Sequence, residues 1–391
     1  VRFEILQEHL VKVLSIVSPA LGKKSDPLIT SNVMLAVAGD TLTVTATNLA
    51  VTISANTKAK VHDEGQCLVA GRDFLLQVEA LNPAIPIEIQ REGEAVIIKA
   101  GDARTRMPLM DEGDFPRKPS LLAEPVCMVL AGDLRWAIQR GVYTTLAEKY
   151  DAGRPALAGI EIFLSSKGLA IFSHDMIMTG ITTLSAQTAG STPDNFGANV
   201  RAEGISPLAA ALAKSDYKAE VFIHRSKNDR HIGFSLGGVD YIASTQESRV
   251  PVSVAPQIYQ TRDNATVHVE VERRPLLSAM RLAKLTDPTV HLRITENDVK
   301  LVSISGGGTR HTNSLGKCLA DGKLEIALNS ELLIGALALM DCNSVTLWFS
   351  AWNAPFSVTD TKQEIPWVFG MAPLAIKLAA EKPTRTQKDS H

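Results

Sequence analysis

One phrase recurs six times along this chain: a short alternating strand that runs into an amphipathic helix and then into further strands. No other feature limits the available folds as much, because a repeated unit must be stacked with its own kind to bury its apolar face. Three copies open at Phe3–Leu10, Val126–Leu134 and Val267–Leu276, and each leads to a strand ending in small polar residues, at Thr41–Asn48, Gly168–Asp175 and Val299–Ser305. Three further copies begin at Cys67–Leu75, Ala198–Ser206 and Leu324–Leu332, followed by alternating stretches at Pro86–Arg91, Ala219–His224 and Ser344–Phe349. The apolar period of two in these stretches is that of strands with one face buried. It lengthens to that of a helix where Leu6, Leu10, Val13, Leu14 and Val17 share a face, and again at Leu332, Leu333, Ala336, Leu337 and Met340.

Taken two to a domain, the phrases predict three tandem α+β domains, each two βαβββ-type units with helices on one side of curved antiparallel sheets. The expected domains are residues 1–118, 124–254 and 264–376. Polar, proline-containing linkers fall near Arg117–Pro125 and Val254–Asn264. Residues 377–391, with Lys382, Arg385 and Lys388, read as a polar, disordered tail.

Catalytic signatures are missing. Gly306-Gly307-Gly308 lacks the lysine of a phosphate-binding loop, and no H-E-x-x-H or G-x-S-x-G occurs. His174-Asp175 is the one adjacent acid–base pair, and at a strand end it reads as a turn or binding-surface element. Metal ligands do not cluster at usable spacing. The expectation is therefore a protein that is not an enzyme and holds no cofactor or metal. The four cysteines, Cys67, Cys127, Cys318 and Cys342, form no C-x-x-C pair and read as buried thiols of a reducing cytoplasm. Neither a signal-peptide core at Val1–Glu4 nor an apolar run long enough to span a membrane is present. A net charge of −2 argues against a generally basic surface, but leaves room for a local one.

Bases do gather on the helices. Lys12, Arg72, Arg135, Arg140, Lys214, Arg273, Arg274, Arg281 and Lys284 are assigned to outward faces, and Lys23 and Lys24 to the loop after the first helix. Glu8, Asp73, Asp133 and Glu331 are interspersed, and the last helix carries no base.

Thr45-Ala-Thr-Asn-Leu49, the run from Ala100-Gly101 to Asp114-Phe115-Pro116, the Pro27-Leu28-Ile29 turn, Asn329 before the last helix and Val358-Thr-Asp360 occur in an order that resembles the bacterial DNA polymerase III beta subunit, the sliding clamp. The resemblance covers roughly residues 1–374, and its specificity lies in that order.

It implies a processivity factor: a head-to-tail homodimer that encircles double-stranded DNA without regard to sequence, with helices lining the hole. By position, DNA contacts would be Lys12, Lys23, Lys24, Arg72, Arg135, Arg140, Arg154, Lys214, Arg274, Arg281 and Lys284. Ala202-Glu203 stands where the family has a basic pair. Dimer contacts would be Arg104 and Met107 of one chain against Lys284 and Leu285 of the other. A groove for short peptide motifs of the replicative polymerase and the clamp loader would use Leu157, His174, Met176, Ile177, Met178 and Thr179. Further on it would use Pro256, Asn329, Leu332, Asn353 and Pro355, then Val368, Phe369, Met371 and Pro373. The stretches His174–Thr179 and Gly370–Leu374 depart from the family pattern, as does Lys284. The alternative expectation is a clamp-fold adaptor that does not encircle DNA.

Overall fold

The structure, a computed structural model, describes residues 1–23, 27–147, 153–165, 167–188, 196–250, 255–296, 298–315, 319–360 and 367–374. Its seven α-helices among the described residues are α1 (Gln7–Val17), α2 (Gly71–Glu79), α3 (Ala131–Tyr143), α4 (Ala202–Leu212), α5 (Ala255–Asp263), α6 (Arg273–Lys284) and α7 (Ser330–Ala338). All except α5 sit in the same setting. One strand leads in and three antiparallel strands follow, so the element order βαβββ is met six times. The helices pack in pairs, α1 on α2, α3 on α4 and α6 on α7.

The chain forms two compact units, residues 1–173 with 183–250 and residues 174–182 with 251–391. In the first, a five-stranded sheet runs in the order Lys60–Asp63, Arg2–Ile5, Ile87–Glu92, Ala95–Ala100, Ala103–Pro108. A nine-stranded sheet joins the first and third phrases' neighbours. Val239–Ser244 pairs antiparallel with Val51–Lys58, placing Tyr241 opposite Ile53. Strands Gly197–Arg201, Gly159–Ser165 and Gly168–His174 lie side by side as well.

In the second unit, residues 178–182 of the strand Met178–Leu184, then Trp367–Met371, Phe356–Asp360, Ser344–Phe349 and Val267–Glu272 are successive neighbours, and Leu319–Ala320 closes that row. A four-stranded sheet runs Arg310–Ser314, Asp298–Ile304, Thr289–Thr295, Leu324–Asn329.

Alternation explains these strands. In Thr41–Thr47, Leu42, Val44 and Ala46 are buried while Thr41, Thr43 and Thr45 face outward, and Thr45 Oγ1 lies 3.0 Å from Ser54 Oγ on the next strand. Such threonines suit a pleated, half-buried surface. Aromatic rings fill the second unit, where Phe349 and Phe356 stand with centroids 5.1 Å apart and Trp367 and Phe369 5.6 Å. Gly168 (φ +120) is required because a Cβ there would lie 2.1 Å from the Leu184 carbonyl oxygen. Cys67 and Cys127 are buried as expected, Cys342 only partly, and Cys318 lies outside the described residues. The expected tail at 377–391 lies outside them too.

Candidate functional site

Three surfaces carry the expected residues, and the helix bases come first. On α6, Leu276, Leu277, Ala279, Met280 and Ala283 are buried. Arg274, Arg281 and Lys284 therefore emerge together on the exposed face. Lys284 Nζ is 2.8 Å from Glu331 Oε1 in the first turn of α7, so one acid offsets this base. Arg273 turns the other way. Its Nε donates to the Cys342 carbonyl (2.8 Å) and its Nη1 to that of Leu337 (3.0 Å), holding the C-terminal end of α7. A cation at the negative end of a helix is favourable, so Arg273 is a structural residue and not an outward base.

Lys12 on α1, Lys23, Arg72, Arg154 and Lys214 are exposed. Arg72 Nη2 donates to the Gly22 carbonyl at 3.1 Å, so its guanidinium is tethered to the loop before Lys23. Lys24 lies outside the described residues. Helix α3 requires a correction. Arg140 is 2% exposed and approaches the Trp136 ring at 5.8 Å. It is buried and not on an outward face. Arg135 is half-buried against the same ring at 5.2 Å. Five residues of helix turn the chain through about 500°, leaving positions 135 and 140 about 140° apart. That offset, and the place of Arg140 beside Ala137 and Gly141, were legible in the sequence.

The second surface consists of two sheet edges. Ala103–Pro108 ends the five-stranded sheet and Arg310–Ser314 ends the four-stranded one. Arg104 is exposed, and its Nη2 is 3.3 Å from Glu92 Oε2. Met107 is 8% exposed, on the face of the strand whose Thr105 donates to Gln77 of α2. It packs largely towards α2 and leaves little of its own surface at the edge. Leu282 on α6 is 50% exposed and Leu285, which caps that helix, 83%, and Leu76 on α2 is 63% exposed. Sequence reasoning missed Leu76, Leu282, Arg106 and Arg310. The signal for the leucines was an apolar residue out of phase with its helix's buried stripe.

The third surface lies in the second unit. The Asp175 carboxylate accepts from the backbone N–H groups of Ile177 (2.8 Å) and Met178 (2.5 Å). This fixes a tight turn in which Met176 adopts φ +81, a conformation that costs a non-glycine residue strain. The turn leaves Met176 and Ile177 more than half exposed. His174 Nδ1 donates towards the Met178 carbonyl at 3.1 Å and lies 2.9 Å from Thr179 Oγ1. Strand Met178–Leu184 then pairs with Trp367–Met371, Met178 opposite Met371 and Thr179 opposite Gly370. Beyond that strand, the Ala372 N–H donates to Ile177 and the Leu374 N–H to Ala327. The segment 371–374 is thereby held between the 174–178 turn and the strand that leads to Asn329. Asn329 caps α7 by accepting from Glu331 N–H at 2.9 Å, and Leu332 follows, half-buried.

Residues far apart in sequence meet here, and their exposure divides them. Met178, Val368, Phe369 and Met371 are 0–6% exposed and belong to the unit's core. Met176, Ile177, Pro373, Leu332, Asn353 and Pro355 keep exposed or half-exposed surface. Helix α5 packs on strand Trp367–Met371, so closely that a Cβ on Gly370 would meet Ile258 at 3.2 Å. Pro256 lies in α5, with its side chain outside the described set, and Leu157 belongs to the first unit. No group of three or more His, Cys, Asp and Glu with metal-binding geometry occurs among the described residues, and no described helix is long and apolar enough to cross a membrane.

Residues 1–119 match the family model described as DNA polymerase III beta subunit, N-terminal domain. The chain is 24% identical to the beta sliding clamp homolog GriR of Streptomyces muensis, over 90% of this chain and 92% of that protein. It is 23% identical to the beta sliding clamp of Escherichia coli K12, over 93% and 97% of the two chains. The crystal structure of the DNA polymerase III subunit beta from Pseudomonas aeruginosa superposes with a TM-score of 0.87 at 20% identity, covering 96% of this chain and 100% of that one. That likeness establishes the fold. Residues 1–119 thus match the N-terminal domain of the DNA polymerase III beta subunit, and over most of its length the chain is similar in sequence and fold to beta sliding clamps.

Proposed function

We propose that the chain is a non-enzymatic processivity factor: two copies close head to tail around duplex DNA and tether a polymerase and a clamp loader through short peptides. The observation that carries this reading is the sixfold βαβββ order combined with two sheets that each end in an open strand, Ala103–Pro108 and Arg310–Ser314. An unpaired edge invites strand addition, and each of these edges has exposed leucine beside it, Leu76 on one side and Leu282 with Leu285 on the other. The three domains of this reading are residues 1–118, 124–254 and 264–376.

In such a ring Arg274, Arg281, Lys12 and Lys214 would meet phosphates and not base edges, so binding would be independent of sequence and weakened by salt. Retention would come from topology, which lets each contact stay weak enough for sliding. The exposed Met176–Ile177 turn, Leu332 and Pro373 supply the apolar anchor site for a peptide.

The deciding experiment loads the protein on nicked circular DNA and then linearises it. Loss of the protein on linearisation supports encirclement, whereas retention unaffected by free ends overturns it. A clamp-fold adaptor that does not encircle DNA remains the second reading, favoured by two observations that thin the cationic surface. Arg140 is buried and Lys284 is paired with Glu331.

A further inference from the structure

The turn that presents Met176 and Ile177 has a counterpart in the first unit. Asn48 Oδ1 accepts from the backbone N–H groups of Ala50 (3.1 Å) and Val51 (2.8 Å), as Asp175 Oδ1 does from those of Ile177 and Met178. The Asn48 N–H donates to the Val51 carbonyl and the Asp175 N–H to that of Met178, both at 3.1 Å. The next residue has a positive φ in each, +73 at Leu49 and +81 at Met176. The strand that follows pairs antiparallel with a later one, Val51 opposite Ala243 and Met178 opposite Met371. Past those partners, the N–H groups of Ser244 and Gln246 donate to Ala50 and Asn199 at 2.9 and 2.8 Å. Ala372 and Leu374 donate to Ile177 and Ala327 at the same two distances. Leu49, 56% exposed, thus stands where the second unit carries Met176.

The loops beside the two turns differ in charge. In the second unit, between Ser344–Phe349 and Phe356–Asp360, the loop reads Ser350-Ala-Trp-Asn-Ala-Pro355 and has none. The corresponding loop of the first unit, between Glu220–Arg225 and His231–Leu236, reads Ser226-Lys-Asn-Asp-Arg230. Thr245 ties it down, donating from N–H to the Arg230 carbonyl (2.9 Å) and from Oγ1 to that of Asp229 (2.7 Å). Its neighbour Ser244 donates from Oγ to the Leu49 carbonyl (3.1 Å), so one short segment joins the leucine turn to the cationic loop. Pro373 stands at the position of Thr245 and has no N–H to give. Asp229 is 3.6 Å from Arg225, whereas Lys227 and Arg230 are exposed and meet no acid at ion-pair distance among the described residues.

We infer that the turn Asn48–Val51 is a second docking surface, and that its ligand is a short peptide with aliphatic side chains set between carboxylates. Leu49 supplies the apolar contact, and Lys227 and Arg230 supply the charge that selects acidic flanks. One turn geometry then serves two ligand classes, told apart by the loop next to it. The inference rests on reading the 174–178 turn as a peptide surface, since it takes the two turns as equivalents.

Fluorescence anisotropy with the full chain and two labelled peptides tests it. One peptide carries two leucines between glutamates; the other is apolar, aromatic and uncharged. The acidic peptide is expected to bind wild type and to weaken as salt rises. Leu49→Asn, which suits the positive φ of the turn, and Lys227→Glu/Arg230→Glu are each expected to weaken it by about tenfold. Ile177→Glu is expected to leave it within about twofold of wild type, while the uncharged peptide responds to Ile177→Glu alone. Because the leucine and loop variants alter different segments, a folding defect in one leaves the other to decide. An acidic peptide that fails to bind wild type, or that is lost through Ile177→Glu and not through Leu49→Asn, would overturn the inference and leave the 174–178 surface standing. An uncharged peptide bound at wild-type strength by Ile177→Glu would remove that surface, and with it the ground of this inference.

Discussion

Lys284 of α6 reaches Glu331 of α7, Nζ to Oε1 2.8 Å, across the helix pair of the second unit. Both side chains are about half exposed, so the pair contributes at most about 1 kcal/mol to stability. Its larger consequence is electrostatic: one of three cations on the α6 face is already answered. Glu331→Gln should therefore raise affinity for duplex DNA and steepen its salt dependence by about one counterion, while the melting temperature barely moves. A fluorescence-anisotropy titration across salt concentrations measures both. An unchanged slope would show that Lys284 does not meet phosphate.

Arg281 and Arg140 separate surface charge from buried charge. Arg281→Ala removes an exposed cation and should weaken DNA retention with less than about 0.5 kcal/mol lost in stability. Arg140→Ala instead removes a buried side chain packed on Trp136, and should cost about 2–4 kcal/mol by urea unfolding. Arg140→Ala with native stability and reduced retention would reverse the two assignments.

The sixfold order was legible because periods of two and 3.6 need no knowledge of tertiary contacts. Asn329 as a helix cap was legible for the same reason, since capping is local. Exposure of individual side chains was less so. Met178, Phe369 and Met371 meet only because strands distant in sequence pair in one register, and whether such residues line a groove or fill a core depends on what packs over them. Here α5 does, through Ile258 at Gly370. Periodicity located that helix poorly, because Ala255–Asp263 lies in a stretch expected to be a linker.

Thiol chemistry should follow burial. Desolvation pushes the Cys67 thiol up to about 11 and the Cys127 thiol up to about 12, and the thiolate is the reacting form. In the native protein, iodoacetamide should label Cys342 well before either, as peptide mass spectrometry would show. Early labelling of Cys127 would mean that strand Cys127–Leu130 opens readily.

Stability should fall on acidification through the histidines. Burial lowers the pKa of His291 in the second unit and of His231 in the first below the usual value of 6.5. For each, the unfolded state binds a proton at a pH where the folded state does not. Stability is therefore complete above about 6.5 and declines as pH falls from there through the folded values. His291 Nδ1 has no hydrogen-bond partner among the described residues, so His291→Leu removes the titration without stranding a polar group. Denaturant midpoints of the second unit's transition should then vary less between neutral and mildly acid pH than in wild type. An identical pH slope in the variant would place the sensitivity elsewhere.

The peptide surface makes the last prediction, and exposure decides how it must be tested. Met178→Glu would place a carboxylate at a site 6% exposed, where burial of an unpaired charge costs several kcal/mol. Any loss of partner binding in that variant would be a loss of folding. Ile177→Glu acts on a side chain 54% exposed, beside a backbone already fixed by Asp175 and by the bond from Ala372. It should leave the free energy of unfolding within about 0.5 kcal/mol of wild type. It should also abolish capture of an apolar, aromatic peptide in a pull-down with the full chain. Capture at wild-type strength by a folded Ile177→Glu protein would move the anchor site away from the 174–178 turn, and with it the reading of that turn as a partner surface.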